Sequence, residues 1–500
     1  MDGPEAVYSA HSRTGGRSST LAAWLLAGLV AACSFGVAEA HYRALDFTED
    51  YVFYLQAART IGGLRTAPLT AQPWGFNAFW FSGVEGERSI HQSPHFEPVK
   101  YLYALILRVV DHPLAIALLI SVVVGCPILC LFRGLLPMPC RRSTIMAIGL
   151  LYLLNPLVYL APAYDLRTFS FLPPLFLMAV LSFLLRRPVG ERLLWFNGLF
   201  LVREEAVILA PFLIALGYFG ERNDDTSASG AVRHVVPFLL SWIVWTLVVA
   251  LYFVWTGYPN SLLSYVTTSR HMNVGLPAYG VFLVLLWKGR RWVGLQCVVL
   301  AAAGGLVGLQ WAIRFWRSGS AADVVYSPYH LLVWVIVMGA MLAWASAAPR
   351  MEGVLRKAAF VGGAALLVAN AISPRAPYPT WRALKRSAVD VAVVVATARA
   401  LPKDTPVLTD LKAFPAFHDF DQAYAYEWLP LSLADPRNQG FPENRRILEA
   451  LLRDRIEYAV ISHQTAPILE DLAGGAGVRL EVRSRGTDFT LYRITGHGRS

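Results

Sequence analysis

The chain has 500 residues, of which 55% are hydrophobic and only 16% charged, and it carries a net charge of +10. A soluble protein of this length has roughly a quarter of its residues charged, so that class is excluded. The positive balance does not point to nucleic acid either, because Lys and Arg sit mainly in short loops between apolar runs, where they orient membrane helices.

The first element is the apolar run Leu21–Ala38, preceded by Arg13 and Arg17 in a tail spanning residues 1–20. It is longer than a signal-peptide core and many spans follow, so it reads as a retained anchor. Residues 40–112 form a long first outer loop, in which Tyr101–Val110 is apolar but too short to cross and reads as a helix lying in the interface. Further spans are expected at Pro113–Phe132, Ile145–Leu160, Phe169–Leu185, Leu193–Leu201, Ala206–Phe219, Val235–Val254, Val281–Trp287, Trp292–Phe315, Leu331–Ala345 and Ala358–Ile372. Most approach the ~20 residues needed to cross ~30 Å of hydrocarbon. The fold class is therefore an all-α polytopic membrane protein with about 9 to 11 spans in residues 21–373. The five cysteines, Cys33, Cys126, Cys130, Cys140 and Cys297, all lie in or beside apolar segments. That placement excludes a disulfide framework, and the helical spacing of Cys126 and Cys130 reads as packing rather than a metal pair.

Orientation follows from the basic loops at Arg141-Arg142, Arg186-Arg187, Lys288 to Arg291 and Arg350 to Lys357. Placing all of them in the cytoplasm requires the segment from Glu191 to Arg222 to return to its starting side. Its two apolar halves, broken by Arg203-Glu204-Glu205, then form a short hairpin; one kinked crossing is the competing arrangement. The hairpin puts the first loop, the Tyr164–Arg167 turn, the loop ending Tyr326-Ser-Pro-Tyr329-His330 and residues 374–500 on the non-cytoplasmic face. In that last region Thr405–Asp410, Glu457–Ser462, Val478–Arg483 and Phe489–Ile494 read as strands and Asn444–Arg453 as a helix. They predict a small extracytoplasmic α/β domain.

Four acidic clusters interrupt the apolar background, and carboxylates in such surroundings mark functional sites unless paired or hydrated. Asp46 and Asp50, with Glu49 beside them, would share one face of a helix. Such a group suits general-base work or a divalent cation with oxygen ligands, and it equally suits an acidic helix start. His91, His95 and Glu97 are interleaved with Pro94 and Pro98, which oppose a regular helix. They read as a rigid loop presenting polar groups at the membrane surface rather than as a zinc site. Asp165 and Arg167 flank a tight turn, where they would pair and cap helices. Arg203 with Glu204 and Glu205 lies between apolar flanks, either as a self-neutralised group or as a fork for a lipid phosphate. Tyr326, Tyr329 and His330 fit an aromatic belt.

In order and spacing these pieces resemble a prokaryotic membrane family known as domain of unknown function 2079. The matching elements are Asp50 to Gln56, His95-Phe96-Glu97-Pro98, Asp165-Leu166-Arg167 (Arg where the family has His), Arg203-Glu204-Glu205 and Tyr329-His330. That family is similar to the GT-C glycosyltransferases, multi-span enzymes that use polyprenyl-phosphate sugars. The resemblance implies transfer of a sugar from a lipid-linked donor at the outer face of the cytoplasmic membrane, with Asp50 as the base. Asp46 or Glu49 would assist it. Arg203 and Arg167 would face the donor phosphate, beside Glu204, Glu205, Asp165, Gln56, His95, Glu97 and His330. The implied partners are the donor, membrane lipids and an acceptor, with no nucleic acid. Two other classes keep the same clusters in different roles: a proton-coupled lipid or sugar transporter, and a membrane scaffold presenting the C-terminal domain.

Overall fold

A computed structural model describes residues 16–45, 49–64, 95–134, 142–164, 166–222, 228–256, 283–285, 287–288, 290, 294–318, 328–372, 388–410, 413–421, 423–425, 449–450, 452–463 and 465–496. Its first part is helical: α1 Gly16–Arg43, α2 Glu49–Ile61, α3 Val99–Val109, α4 Pro113–Gly134, α5 Arg142–Leu153, α6 Pro156–Tyr164, α7 Leu172–Leu184, α8 Val189–Val202, α9 Ala206–Arg222, α10 Ala228–Thr256, α11 Leu295–Ser318, α12 Pro328–Ala347 and α13 Glu352–Ile372. Among the described residues, Thr20–Arg43, Pro113–Leu131 and Val232–Trp255 are each long and apolar enough to cross a bilayer, and α5 with α6 makes a fourth, bent span. Shorter apolar helices, including Thr168–Leu184, Ala206–Glu221 and Leu331–Ala347, pack among them. Leu239, Leu240, Ile243, Val244, Leu247, Leu251 and Val254 are exposed along α10, as are Leu21, Trp24, Leu25 and Leu29 on α1. Water would not tolerate such contiguous apolar faces, whereas lipid does. The protein is a multi-pass membrane protein. The expected Val281–Trp287 span lies largely outside the described residues.

Helix α7 is the axis of the bundle: every residue from Leu172 to Phe183 except Leu175 is buried, and it touches α4, α8, α9 and α12. Close approach elsewhere relies on small residues. A Cβ at Gly125 on α4 would meet the backbone oxygen of Ala27 on α1 at 2.7 Å. The break between α5 and α6 follows from Asn155-Pro156. Proline supplies no amide donor and pushes the preceding residue out of the helical region. Asn155 Oδ1 then accepts the Leu157 amide at 3.0 Å as a cap, and the pair bends by 40°.

The segment from Glu191 to Arg222 is a hairpin. Helices α8 and α9 have 14 and 17 residues, rising about 21 and 25 Å. Their far ends meet, with Arg192 Nη1 3.2 Å from Glu221 Oε1 and Arg186 Nη2 donating to the Gly220 carbonyl at 2.9 Å. A single kinked crossing would hold Arg192 and Glu221 on opposite sides. At the tip, Arg203 is extended (φ −166°, ψ 154°) and α9 restarts at Ala206.

The C-terminal part is a small α/β domain, as expected. It comprises α14 Ala388–Ala400, β1 Val407–Thr409, a 3-10 turn Phe414–Phe417, β2 Ala423–Ala425, β3 Tyr458–Ser462, α15 Ala466–Ala476, β4 Arg479–Arg485 and β5 Phe489–Thr495. The sheet order is β2-β1-β3-β5-β4, parallel around β1 and antiparallel from β3 to β4. Buried Asp410 ties β1 to β3, its carboxylate accepting the amides of Ala413 at 2.8 Å and Ser462 at 3.0 Å. Within the expected Asn444–Arg453 helix, residues 449–450 and 452–454 are helical. Helix α15 was not expected, and it ends at Gly477, whose φ of +71° suits a residue without a Cβ. The domain rests on the first loop's helices: His418, after the 3-10 turn, sets its ring edge-on to His112 with centroids 5.9 Å apart.

Candidate functional site

Three segments distant in sequence converge where α3 begins. Helix α3 has one buried face, Val99, Lys100, Tyr103, Ala104 and Leu107, packed on α2 and α4. Pro98 at its start fixes the chain direction, so Glu97 turns inward and is only 4% exposed. One oxygen of Glu97, Oε1, accepts the Tyr54 hydroxyl of α2 at 2.8 Å and the Thr168 hydroxyl at 2.6 Å. Its other oxygen lies 3.0 Å from Lys100 Nζ. The Arg203 guanidinium completes the surroundings, with Nε 3.9 Å from Glu97. Burial pushes the Glu97 carboxyl up, but Lys100, Arg203, His95 and the Thr168 hydrogen bond outweigh it and hold it down to about 2. Glu97 is thus a buried anion.

The tip of the α8–α9 hairpin supplies the rest. Arg203 Nε is 3.1 Å from Glu205 Oε2, and its Nη2 is 2.8 Å from His95 Nε2. His95 Nδ1 lies 2.6 Å from Glu204 Oε1. The same Nη2 also lies 3.0 Å from Nδ1, so the imidazole is held between the guanidinium and Glu204. Glu204 Oε2 accepts the Phe96 amide at 3.0 Å. Phe96 is held in an aromatic pocket, its ring centroid 5.3 Å from Tyr252 and 6.2 Å from Trp245 of α10. The named groups comprise three carboxyl groups, an arginine, a lysine and an imidazole linking Arg203 to Glu204. No proline or glycine breaks the helix here. The charged triplet leaves it because its partners lie in the His95–Glu97 loop.

The structure therefore brings together His95, Glu97, Arg203, Glu204 and Glu205, with Arg167 adjoining through Thr168. One group of the His95–Glu97 loop is not presented outward as expected: Glu97 is buried beside Tyr54, Thr168 and Lys100. Glu49 and Asp50 open α2, Gln56 lies further along it, and His330 is in the first turn of α12. Asp46, Asp165, His91 and Tyr326 lie outside the described residues, so the Asp46–Asp50 cation pair and the Asp165–Arg167 pair do too. Among the described residues no three His, Cys, Asp or Glu side chains are arranged so that they could hold a metal ion. Sequence reasoning missed Tyr54, Lys100 and Thr168. Each had a signal: Tyr54 is one helical turn from Asp50, Lys100 is three residues from Glu97, and Thr168 follows Arg167.

No protein-family model matches the chain, and no curated protein matches it. The solved structures similar to this chain include two of one protein. ArnT from Cupriavidus metallidurans in the apo state shares 14% identity over 95% of this chain and 98% of its own, with a TM-score of 0.47. The same protein bound to undecaprenyl phosphate shares 13% identity over 94% of this chain and 97% of its own, with a TM-score of 0.42.

Proposed function

We propose that the protein is a membrane glycosyltransferase of the GT-C type, using a polyprenyl-phosphate sugar at the non-cytoplasmic face. The observation that carries the reading is the convergence of the ordered motifs. The Asp50 helix, the His95–Glu97 loop, the Arg167 turn and the Arg203–Glu205 tip share one buried cluster through Tyr54, Glu97 and Thr168. In the proposed step an acceptor hydroxyl attacks the anomeric carbon of the donor sugar and Asp50 takes its proton. The bond between that carbon and the phosphate oxygen breaks, and polyprenyl phosphate leaves with the negative charge. Asp46 or Glu49 would assist by holding the acceptor in position while Asp50 takes the proton. Fixed positive charge stabilises such a leaving group. Arg203 is already enclosed by carboxylates, which supports a structural role for it, and Arg167 is the second arginine proposed to face the phosphate.

The deciding experiment assays transfer from radiolabelled polyprenyl-phosphate sugars by the full chain in nanodiscs. Asp50→Asn keeps size and polarity but removes the proton acceptor, so turnover should fall ~100-fold or more with donor binding nearly intact. Wild-type turnover in Asp50→Asn, Asp46→Asn and Glu49→Gln alike would sink the reading. A proton-coupled transporter is the second reading, favoured by His95 bridging Arg203 and Glu204 at a helix break. Acid-driven uptake of a lipid-linked sugar into proteoliposomes, without transfer, would establish it instead.

A further inference from the structure

We infer that Tyr54 is a positioning residue, whose hydroxyl fixes the helix carrying Asp50 onto Glu97; the inference rests on the role proposed for Asp50. Helix α2 has only 13 residues, too few to hold its own place by helical propensity. It is pinned at two places along its length, the middle and the C-terminal end. At the C-terminal end buried Arg59 pairs with Asp111, and in the middle Tyr54 donates to Glu97. Asp50 is one turn N-terminal of Tyr54, so of these two contacts Tyr54 is the nearer to it, alongside the buried ring of Tyr51.

The receiving oxygen is well chosen for this task. Glu97 Oε1 also takes the Thr168 hydroxyl, so one atom ties α2, the His95 loop and the Arg167 turn together. Tyr54 and Glu97 are 5% and 4% exposed, and water does not replace a bond lost there without cost. Hydrogen bonds to charged groups are the stronger kind, and a misplacement of about 1 Å can cost an enzyme about 100-fold. The ring of Tyr54 packs in the core, so removing the hydroxyl alone leaves the packing in place.

The test compares Tyr54→Phe with Thr168→Val in the full-length protein in nanodiscs. Amide exchange over residues 50–56 should rise at least tenfold in Tyr54→Phe and stay near wild type in Thr168→Val. In the transfer assay, Tyr54→Phe should lower kcat about tenfold or more with KM for the donor within twofold of wild type. Equal exchange increases in both variants would mean general loosening and overturn the inference, as would unchanged exchange and kcat in Tyr54→Phe. An inactive Asp50→Asn beside a fully active Tyr54→Phe would sink the positioning role alone. A fully active Asp50→Asn would sink the functional reading, and the exchange result would then stand as a statement about α2 only.

Discussion

At the residue scale, the arrangement around Arg203 decides what its loss would do. Its guanidinium sits among Glu97, Glu205 and His95, with the side chain 5% exposed. Removing one partner from a buried charge group typically costs about 3 to 5 kcal/mol, because the other charges stay behind without compensation. Arg203→Ala should therefore lower the melting temperature of the purified protein markedly, while Arg203→Lys, which keeps the charge but loses the fork, should cost less. A folded Arg203→Ala protein with wild-type Tm and weakened donor binding would restore the phosphate role to Arg203. Glu97 makes a second prediction. Its carboxyl is held down to about 2 against an ordinary 4.5, so its contribution is complete above 4.5 and disappears as pH falls through 2. Glu97→Gln should flatten the acid limb of the stability curve over that interval. The sequence alone made these charges conspicuous. It did not show that Glu97 is the hub, because that depends on Tyr54 and Thr168 arriving from segments 43 and 71 residues away.

At the element scale, the α8–α9 hairpin is held closed by Arg192 and Glu221. The Arg192 guanidinium also lies over the rings of Phe183 and Phe238, at 5.6 and 5.7 Å. Arg192→Glu should splay the arms and lower Tm, and the double exchange with Glu221→Arg should recover most of the loss; no recovery would mean that the ring contacts dominate. Hydrophobic run lengths and loop charges were enough to read α1, α4, α7 and α10 and to prefer the hairpin over a crossing. Shorter elements were less legible for identifiable reasons. The bend at Asn155 sits inside an apolar run that reads as one span. Strand β2 has only three residues, too few for alternation to show. Helix α14 is rich in β-branched residues, Val391 and Val393 to Val395, whose intrinsic preference opposes the helix that packing against β5 and the 3-10 turn imposes.

At the scale of the whole molecule, α3 links the candidate site to the C-terminal domain. Glu97 precedes its first turn and His112 follows its last, about 16 Å away for 11 residues. His418 docks there with its Nδ1 donating to the Pro415 carbonyl at 2.7 Å. Burial, with Arg59 and His112 nearby, pushes the His418 imidazole down to about 4 despite the carboxylate of Asp419 and that hydrogen bond. The released domain would expose His418 with its ordinary value of 6.5. Between 6.5 and 4 the released form then binds more protons, so docking is strongest above 6.5 and weakens as pH falls toward 4. Limited proteolysis between α13 and β1 should accelerate from pH 7 to pH 5, and His418→Gln should remove much of that dependence. A reporter fused after Ser373 should lie on the non-cytoplasmic side, and cytoplasmic labelling there would separate the C-terminal domain from the proposed acceptor face.

The hairpin also constrains how the protein is made. Neither 14 nor 17 residues reaches the ~20 that a translocon recognises as a complete span, and the tip carries three charges. Each arm alone falls short of a typical span, so the two are expected to enter lipid together, once Glu221 has been synthesised and can close on Arg192. By then the His95–Glu97 loop has long left the ribosome and offers Arg203 and Glu204 their partners. The order of the segments along the chain is thus also an order of assembly, in which the receiving loop must precede the charged tip it neutralises.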